Sequence, residues 1–271
     1  MAKKFFERIE ANEDITFDFL GDSITYGQIH CRPEETYVAK FTKALADAIP
    51  SYTVYRCDGV PEAGSAYPMK HFEKPILCSV GDGEGRIDVV KNGIGGSTVL
   101  KATERPQDYT GILSSGKRHD YVFLMFGIND ALFYDKGKFV SGKQFKENCK
   151  KLIEILKNDN PDVSIVITSA TTPTILSHEV HPKLVPEENT IKVCVIDDYV
   201  KNSEELAREE GYAYIDTNAL WNEHRKEGEE HYGLGDWLVG RDSCHPSPKA
   251  SEIMGKFVCR EFLRLAKEGK V

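Results

Sequence analysis

Apolar, β-branched and aromatic runs recur along the chain and alternate with stretches of helical periodicity. Ile15-Thr16-Phe17-Asp18-Phe19-Leu20 reads as a first strand ending at Gly21. Between Glu35 and Ile49, apolar residues at 37, 38, 41, 45 and 49 keep three- and four-residue spacings, and Pro50 stops the run. That pattern predicts an amphipathic helix. Ile87-Asp88-Val89-Val90 predicts a second core strand, and Tyr121 to Phe126 the strongest strand of all. A helix over Gly142 to Lys157 and a strand over Val163 to Thr168 follow. Next come a helix over Ile191 to Glu210, a short strand over Tyr212 to Ile215 and a last helix over Pro248 to Ala266. Strands that are apolar throughout and alternate with helices predict an α/β fold, with a parallel sheet covered on both faces.

Two stretches interrupt this alternation. Ser51 to Arg86 holds Pro61, Pro68, Pro75 and the cluster Gly81-Asp82-Gly83-Glu84-Gly85. It reads as a small hairpin over Tyr52 to Cys57 followed by an insertion at about 58–86. Thr171 to Thr190 is polar and Pro-rich and reads as a loop over the sheet's rim. No linker separates two cores, so residues 1–271 are expected to form one domain.

Composition narrows the function classes. The formal net charge is −8, without a basic stripe, which argues against nucleic acid as a partner. Seven cysteines, an odd number with no C-x-x-C pair, argue against a disulfide framework or a zinc knuckle. The first residues lack the apolar region of a signal peptide, and no window is apolar enough to span a bilayer. A cytoplasmic protein without stable membrane insertion is the expectation; the oligomeric state is not legible.

Several motifs resemble functional ones and fail on detail. Gly111 to Lys117 nearly completes a phosphate-binding loop, but Arg118 stands where Ser or Thr must hold magnesium. Gly93-Ile94-Gly95-Gly96 follows a strand, yet Thr98 occupies the third glycine position of a dinucleotide turn. His178 and His181 lie in a polar loop beside Pro182 and read as solvated side chains rather than metal ligands. No G-x-S-x-G elbow is present.

The chemistry that remains is acyl transfer. In a parallel sheet the carboxyl ends of the strands gather on one rim, so Ser23, the Gly93–Thr98 turn and Asn129 should meet there. A serine hydroxyl becomes a nucleophile only when a base takes its proton and an acceptor orients that base. Asp242-Ser243-Cys244-His245 supplies both groups, with Asp242 able to fold back onto the imidazole of His245. The backbone N–H groups of Ser23 and Gly96 and the amide of Asn129 could form the oxyanion hole. Taken singly, each piece has a plainer reading. Gly21-Asp22-Ser23 could be a capped strand-to-helix turn, Gly95-Gly96 a tight turn, and Asn129, Asp130, Asp242 and His245 helix caps.

In combination, Gly21-Asp22-Ser23, Gly95-Gly96-Ser97-Thr98, Gly127-Ile128-Asn129-Asp130 and Asp242-x-x-His245 resemble, in order and context, the SGNH (GDSL-type) hydrolase family. The resemblance runs from about residue 15 to about residue 266. It implies a flavodoxin-like three-layer α/β/α sandwich with sheet order 2-1-3-4-5. It also implies Ser23 as nucleophile, Gly96 and Asn129 as oxyanion donors, and His245 as a base oriented by Asp242, with no metal or organic cofactor. Ser243 and Cys244 fill a gap where glycine is usual in the family.

The expected substrate is a small-molecule or carbohydrate ester. The polar stretches 171–190 and 229–241 favour a short acyl group on a polar alcohol over the longer chains of a lysophospholipase or thioesterase. A non-catalytic carbohydrate-binding module on the same fold is the reading from another class, and it leaves the joint presence of Ser, Asn, Asp and His without a chemical reason.

Overall fold

The computed structural model of the chain describes residues 3–27, 31–61, 69–72, 74–106, 119–132, 140–171, 187–232 and 245–271. The strands are β1 (Ile15–Gly21), β2 (Thr53–Pro61), β3 (Met69–Phe72), β4 (Ile76–Ser79), β5 (Arg86–Gly93), β6 (Tyr121–Met125), β7 (Ser164–Thr168) and β8 (Ala213–Ile215). Interleaved with them are α1 (Phe5–Glu10), α2 (Ser23–Tyr26), α3 (Tyr37–Ala48), α4 (Val99–Glu104), α5 (Ile128–Leu132), α6 (Gly142–Asp159), α7 (Glu187–Glu210), α8 (Thr217–Tyr232) and α9 (Pro248–Lys267). The strands form one sheet in the order β3-β2-β5-β1-β6-β7-β8, with β4 also paired to β2. Its centre, β5-β1-β6-β7-β8, is parallel and follows the order 2-1-3-4-5 of a flavodoxin-like sheet.

The apolar strands predict their own burial. All seven residues of β1 are buried, and it lies between β5 and β6. Alternate side chains leave on opposite faces. Phe17, Phe19, Tyr121 and Phe123 share one face, with Phe19 and Phe123 stacked at 4.4 Å. Phe41 of α3, Phe262 of α9 and Phe5 of α1 close over them edge-on. Opposite, Leu124 and Ile167 border a crevice with Val99 of α4, Phe145 and Leu152 of α6 and Ser203 of α7. Helices on both faces make the three layers. The helices begin at polar caps: the hydroxyls of Thr36, Ser141 and Ser247 accept from the N–H of Ala39, Gln144 and Ala250.

The region around 52–86 differs from its sequence reading. Tyr52–Cys57 is not a hairpin: β2 extends the sheet beyond β5, parallel to it. The described parts of the expected insertion supply the antiparallel strands β3 and β4 along the outer edge of β2. Two further elements depart from the pattern. The described residues 187–190 of the stretch read as a loop are helical, as the start of α7, and α8 occupies a stretch for which periodicity predicts no helix. Among the described residues no helix is long and apolar enough to cross a membrane.

Candidate active site

Strand register builds the rim. Gly21, the last residue of β1, is level with Gly93 of β5 and Met125 of β6, so the segments that follow all emerge at one height. Ser23 opens α2 directly after β1 and is buried. The carboxylate of Asp22 accepts the N–H of Ile24 at 2.9 Å, and the N–H of Tyr26 donates to the Asp22 carbonyl at 3.0 Å. These bonds fix the sharp exit from the strand. Gly93 makes room for it, because a Cβ there would lie 2.2 Å from the backbone N of Tyr26 and 2.6 Å from the Asp22 carbonyl oxygen.

The turn after β5 is held from two sides. The Ile94 N–H donates to the Gly21 carbonyl at 3.0 Å, which ties the turn to the end of β1. Gly96 has φ +64°, the left-handed region that a side chain disfavours. From α5, the Asn129 amide donates to the Ser97 carbonyl at 3.0 Å, and the Asp130 carboxylate accepts the Val99 N–H at 3.2 Å. One amide hydrogen of Asn129 is thereby committed to the turn. A buried carboxylate and a buried amide from adjacent residues thus grip the turn that carries Gly96.

Asp130 does cap a helix, but one from another part of the chain: α4, whose first residue lies 31 positions earlier. No local pattern reveals such a bond; the only sequence signal is its place directly after Asn129. Burial pushes both Asp22 and Asp130 up to about 7, against the backbone N–H bonds that favour their charged forms.

His245 is half-buried, with its Nε2 shielded from solvent, and it precedes the capped start of α9. A contact spanning the chain ties this segment to the stretch after α2. Cys31, in the stretch that follows α2, donates through Sγ to the Pro246 carbonyl at 3.6 Å and lies 3.3 Å from the Ser251 hydroxyl. Asp242 lies outside the described residues, as do Gly111–Lys117, His178 and His181. Among the described residues, no group of three His, Cys, Asp or Glu side chains is arranged to hold a metal ion.

A second polar feature lies beside α2 and has no clear signal in the sequence. Arg56 and Asp58 of β2 form a bidentate pair at 2.9 and 3.0 Å. Lys91 of β5 approaches Asp58 at 3.9 Å and sits over the Tyr26 ring. All three charges are buried.

Residues 19–253 match the model of the GDSL-like Lipase/Acylhydrolase family. A curated relative, an uncharacterized lipoprotein YqeF of Bacillus subtilis, is 41% identical over 71 residues, which is 26% of this chain and 28% of that protein. The aligned stretch therefore spans little more than a quarter of that relative. Among solved structures, a variant of Axe2, an acetyl xylan esterase from Geobacillus stearothermophilus, is similar at 22% identity and a TM-score of 0.59, over 91% of this chain and 94% of that one. A two-domain esterase, CEX, active on acetylated mannans, is similar at 14% identity and a TM-score of 0.63, over 98% of this chain and 53% of that one.

Proposed function

Since this chain belongs to the GDSL-like lipase/acylhydrolase family, and is thus a carboxylic ester hydrolase, we propose that it is a serine esterase in which Ser23 is the nucleophile, His245 its general base and Asp242 the carboxylate that orients His245. The observation that carries this reading is the bond from the Asn129 amide to the Ser97 carbonyl, which ties two oxyanion donors, Gly96 and Asn129, into one rigid unit beside Ser23. Preorganised donors cost no rearrangement as negative charge develops, and this makes such a hole effective.

The reaction proceeds in two steps. Ser23 Oγ attacks the ester carbonyl as His245 takes its proton, and the oxyanion is received by the N–H groups of Ser23 and Gly96 and by the Asn129 amide. His245 then protonates the leaving alcohol. Water, deprotonated by the same imidazole, releases the acid and restores Ser23.

The acyl group in this reading is short and the alcohol polar or carbohydrate. Two of the folds similar to this one belong to proteins described as acting on acetylated xylan and acetylated mannans, and the polar stretches 171–190 and 229–241 agree with such substrates.

Hydrolysis of a p-nitrophenyl ester series tests both halves. Ser23→Ala should lower kcat by roughly 10⁴–10⁶, and undiminished turnover by that variant would remove the nucleophile assignment. The wild-type rate should fall as the acyl chain lengthens from acetyl. A preference for octanoyl or longer chains would replace the short-acyl reading with a lysophospholipase or thioesterase.

A further inference from the structure

Ser23 opens a helix of four residues, and a single turn has little stability of its own. Its surroundings therefore decide where the nucleophile stands. Ile24, the first residue after Ser23, is held through its N–H by the Asp22 carboxylate at 2.9 Å. Thr25 meets the hydroxyl of Tyr37 on α3 at 3.0 Å. Tyr26, the last, presents its ring to β5, where Nζ of Lys91 lies 5.2 Å from the ring centroid. An aromatic face attracts a cation at this range, and more strongly out of water.

The anchor at Tyr26 is built from buried charge. Lys91 stands opposite Asp58 in the pairing of β5 with β2, 3.9 Å from its carboxylate. Asp58 is in turn held by Arg56 through two bonds of 2.9 and 3.0 Å. All three side chains are buried. Taking an ammonium out of water is expensive, and an apolar side chain of similar volume would fill the space without that cost. What the charges add is direction. Arg56 fixes the carboxylate, the carboxylate fixes Lys91, and Lys91 fixes the ring.

We propose that Lys91 is a positioning residue for the esterase reaction: backed by Asp58 and Arg56, it seats the Tyr26 ring and, through the single turn of α2, sets the direction in which Ser23 Oγ attacks. This rests on Ser23 being the nucleophile. The turn transmits the restraint because its ends are tied together: the Tyr26 N–H donates to the Asp22 carbonyl at 3.0 Å and the Gly27 N–H to the Ser23 carbonyl at 2.9 Å. A displacement of Tyr26 is therefore passed to Ser23, and a misplacement of about 1 Å costs about 10²-fold in rate.

Two rates test this: hydrolysis of p-nitrophenyl acetate, and the labelling of Ser23 by a fluorophosphonate, which loses fluoride as the Ser23 oxygen bonds to phosphorus. Lys91→Met keeps most of the apolar stem and removes the charge. It should lower kcat and the labelling rate by the same factor, about ten- to a hundredfold, with KM unchanged within about twofold. Lys91→Arg returns a cation to the ring and should recover the rate to within about threefold of the wild type. Tyr26→Leu should reproduce Lys91→Met. The double variant should be no slower than either single one, because both remove the same contact. Tyr26 is only half-buried, so its variant carries the test if Lys91→Met does not fold.

Ser23→Ala, assayed beside them, separates the two readings. Full turnover by that variant removes the nucleophile assignment and the positioning role with it. An inactive Ser23→Ala beside a Lys91→Met that matches the wild type in both rates overturns the positioning role alone. A rise in KM without a fall in kcat would make Lys91 a substrate contact, and losses that multiply in the double variant would make the two side chains independent. Either result overturns the proposal, as does a loss that Lys91→Arg leaves unrecovered.

Discussion

At the carboxyl end of β1, Asp22 and Asp130 are buried, and each accepts a backbone N–H. Midway along the same strand Asp18 is just as buried, but its Oδ2 lies 3.0 Å from Nδ1 of His119. Burial raises all three carboxyls. For His119 burial disfavours the charged ring, yet the Asp18 carboxylate beside it prevails and raises its pKa. The rim thus meets the cost of buried charge with helix N-termini, and this fixes the turns that carry Ser23 and Gly96. The strand interior meets it with an opposite charge, which locks β1 to the entry of β6. Buried acid fixes the turns of the rim in one place and joins β1 to the entry of β6 in the other.

The largest expected effect breaks the interior half of this comparison. His119→Ala leaves Asp18 buried without its cation and should cost about 3–5 kcal/mol in guanidinium unfolding. The kcat of the folded fraction should stay within about twofold. A matching loss of kcat would erase the distinction between the two regions.

The next effect breaks the rim. Asn129→Ala should lower kcat/KM by about 10²–10³, or about 3 kcal/mol, while stability falls by only about 1 kcal/mol from the lost bond to the Ser97 carbonyl. Equal losses of stability and activity would make Asn129 a structural residue.

The smallest effect sharpens the rim. A carboxyl raised to about 7 in the folded protein contributes stability that is fully present below about pH 4 and is lost as pH rises through about 7. Asp130→Asn keeps an acceptor for the Val99 N–H and removes that dependence. Urea midpoints of the variant should therefore decline less between pH 4 and 7 than those of the wild type. At pH 8 the variant should be the more stable by about 1–3 kcal/mol. A steeper decline in the variant would mean that the charged form of Asp130 is favoured by the fold.

The parts legible from the chain were those whose physics is local. β6 announced itself because a strand buried on both faces is apolar throughout, and β1 because only Thr16 and Asp18 interrupt its apolar run. Ser23, the Gly96 turn and Asn129 followed, since each comes directly after such a strand. β2 hid itself. Its inward positions include Arg56 and Asp58, which look like surface residues and are buried as a pair that Lys91 also approaches. Its partners β3 and β4 are short and lie among proline and glycine, so no alternation emerges. α8 is rich in charge and shows little amphipathic pattern, although Asp216 accepts the Ala219 N–H at its start. Asp130 could be recognised as a cap, but not as the cap of a helix 31 residues earlier, because that bond depends on the fold being already assembled.

Phe5 and Phe262 stack edge-on at 5.0 Å, and the Phe5 N–H donates to the Val271 carbonyl. During synthesis these partners are separated by more than two hundred and fifty residues of elongation. A nascent chain that has completed β1 through β8 still lacks α9, so one wall of the aromatic layer stays open to water. The segment carrying His245 also arrives only then. A chain interrupted before α9 would therefore leave its aromatic core exposed.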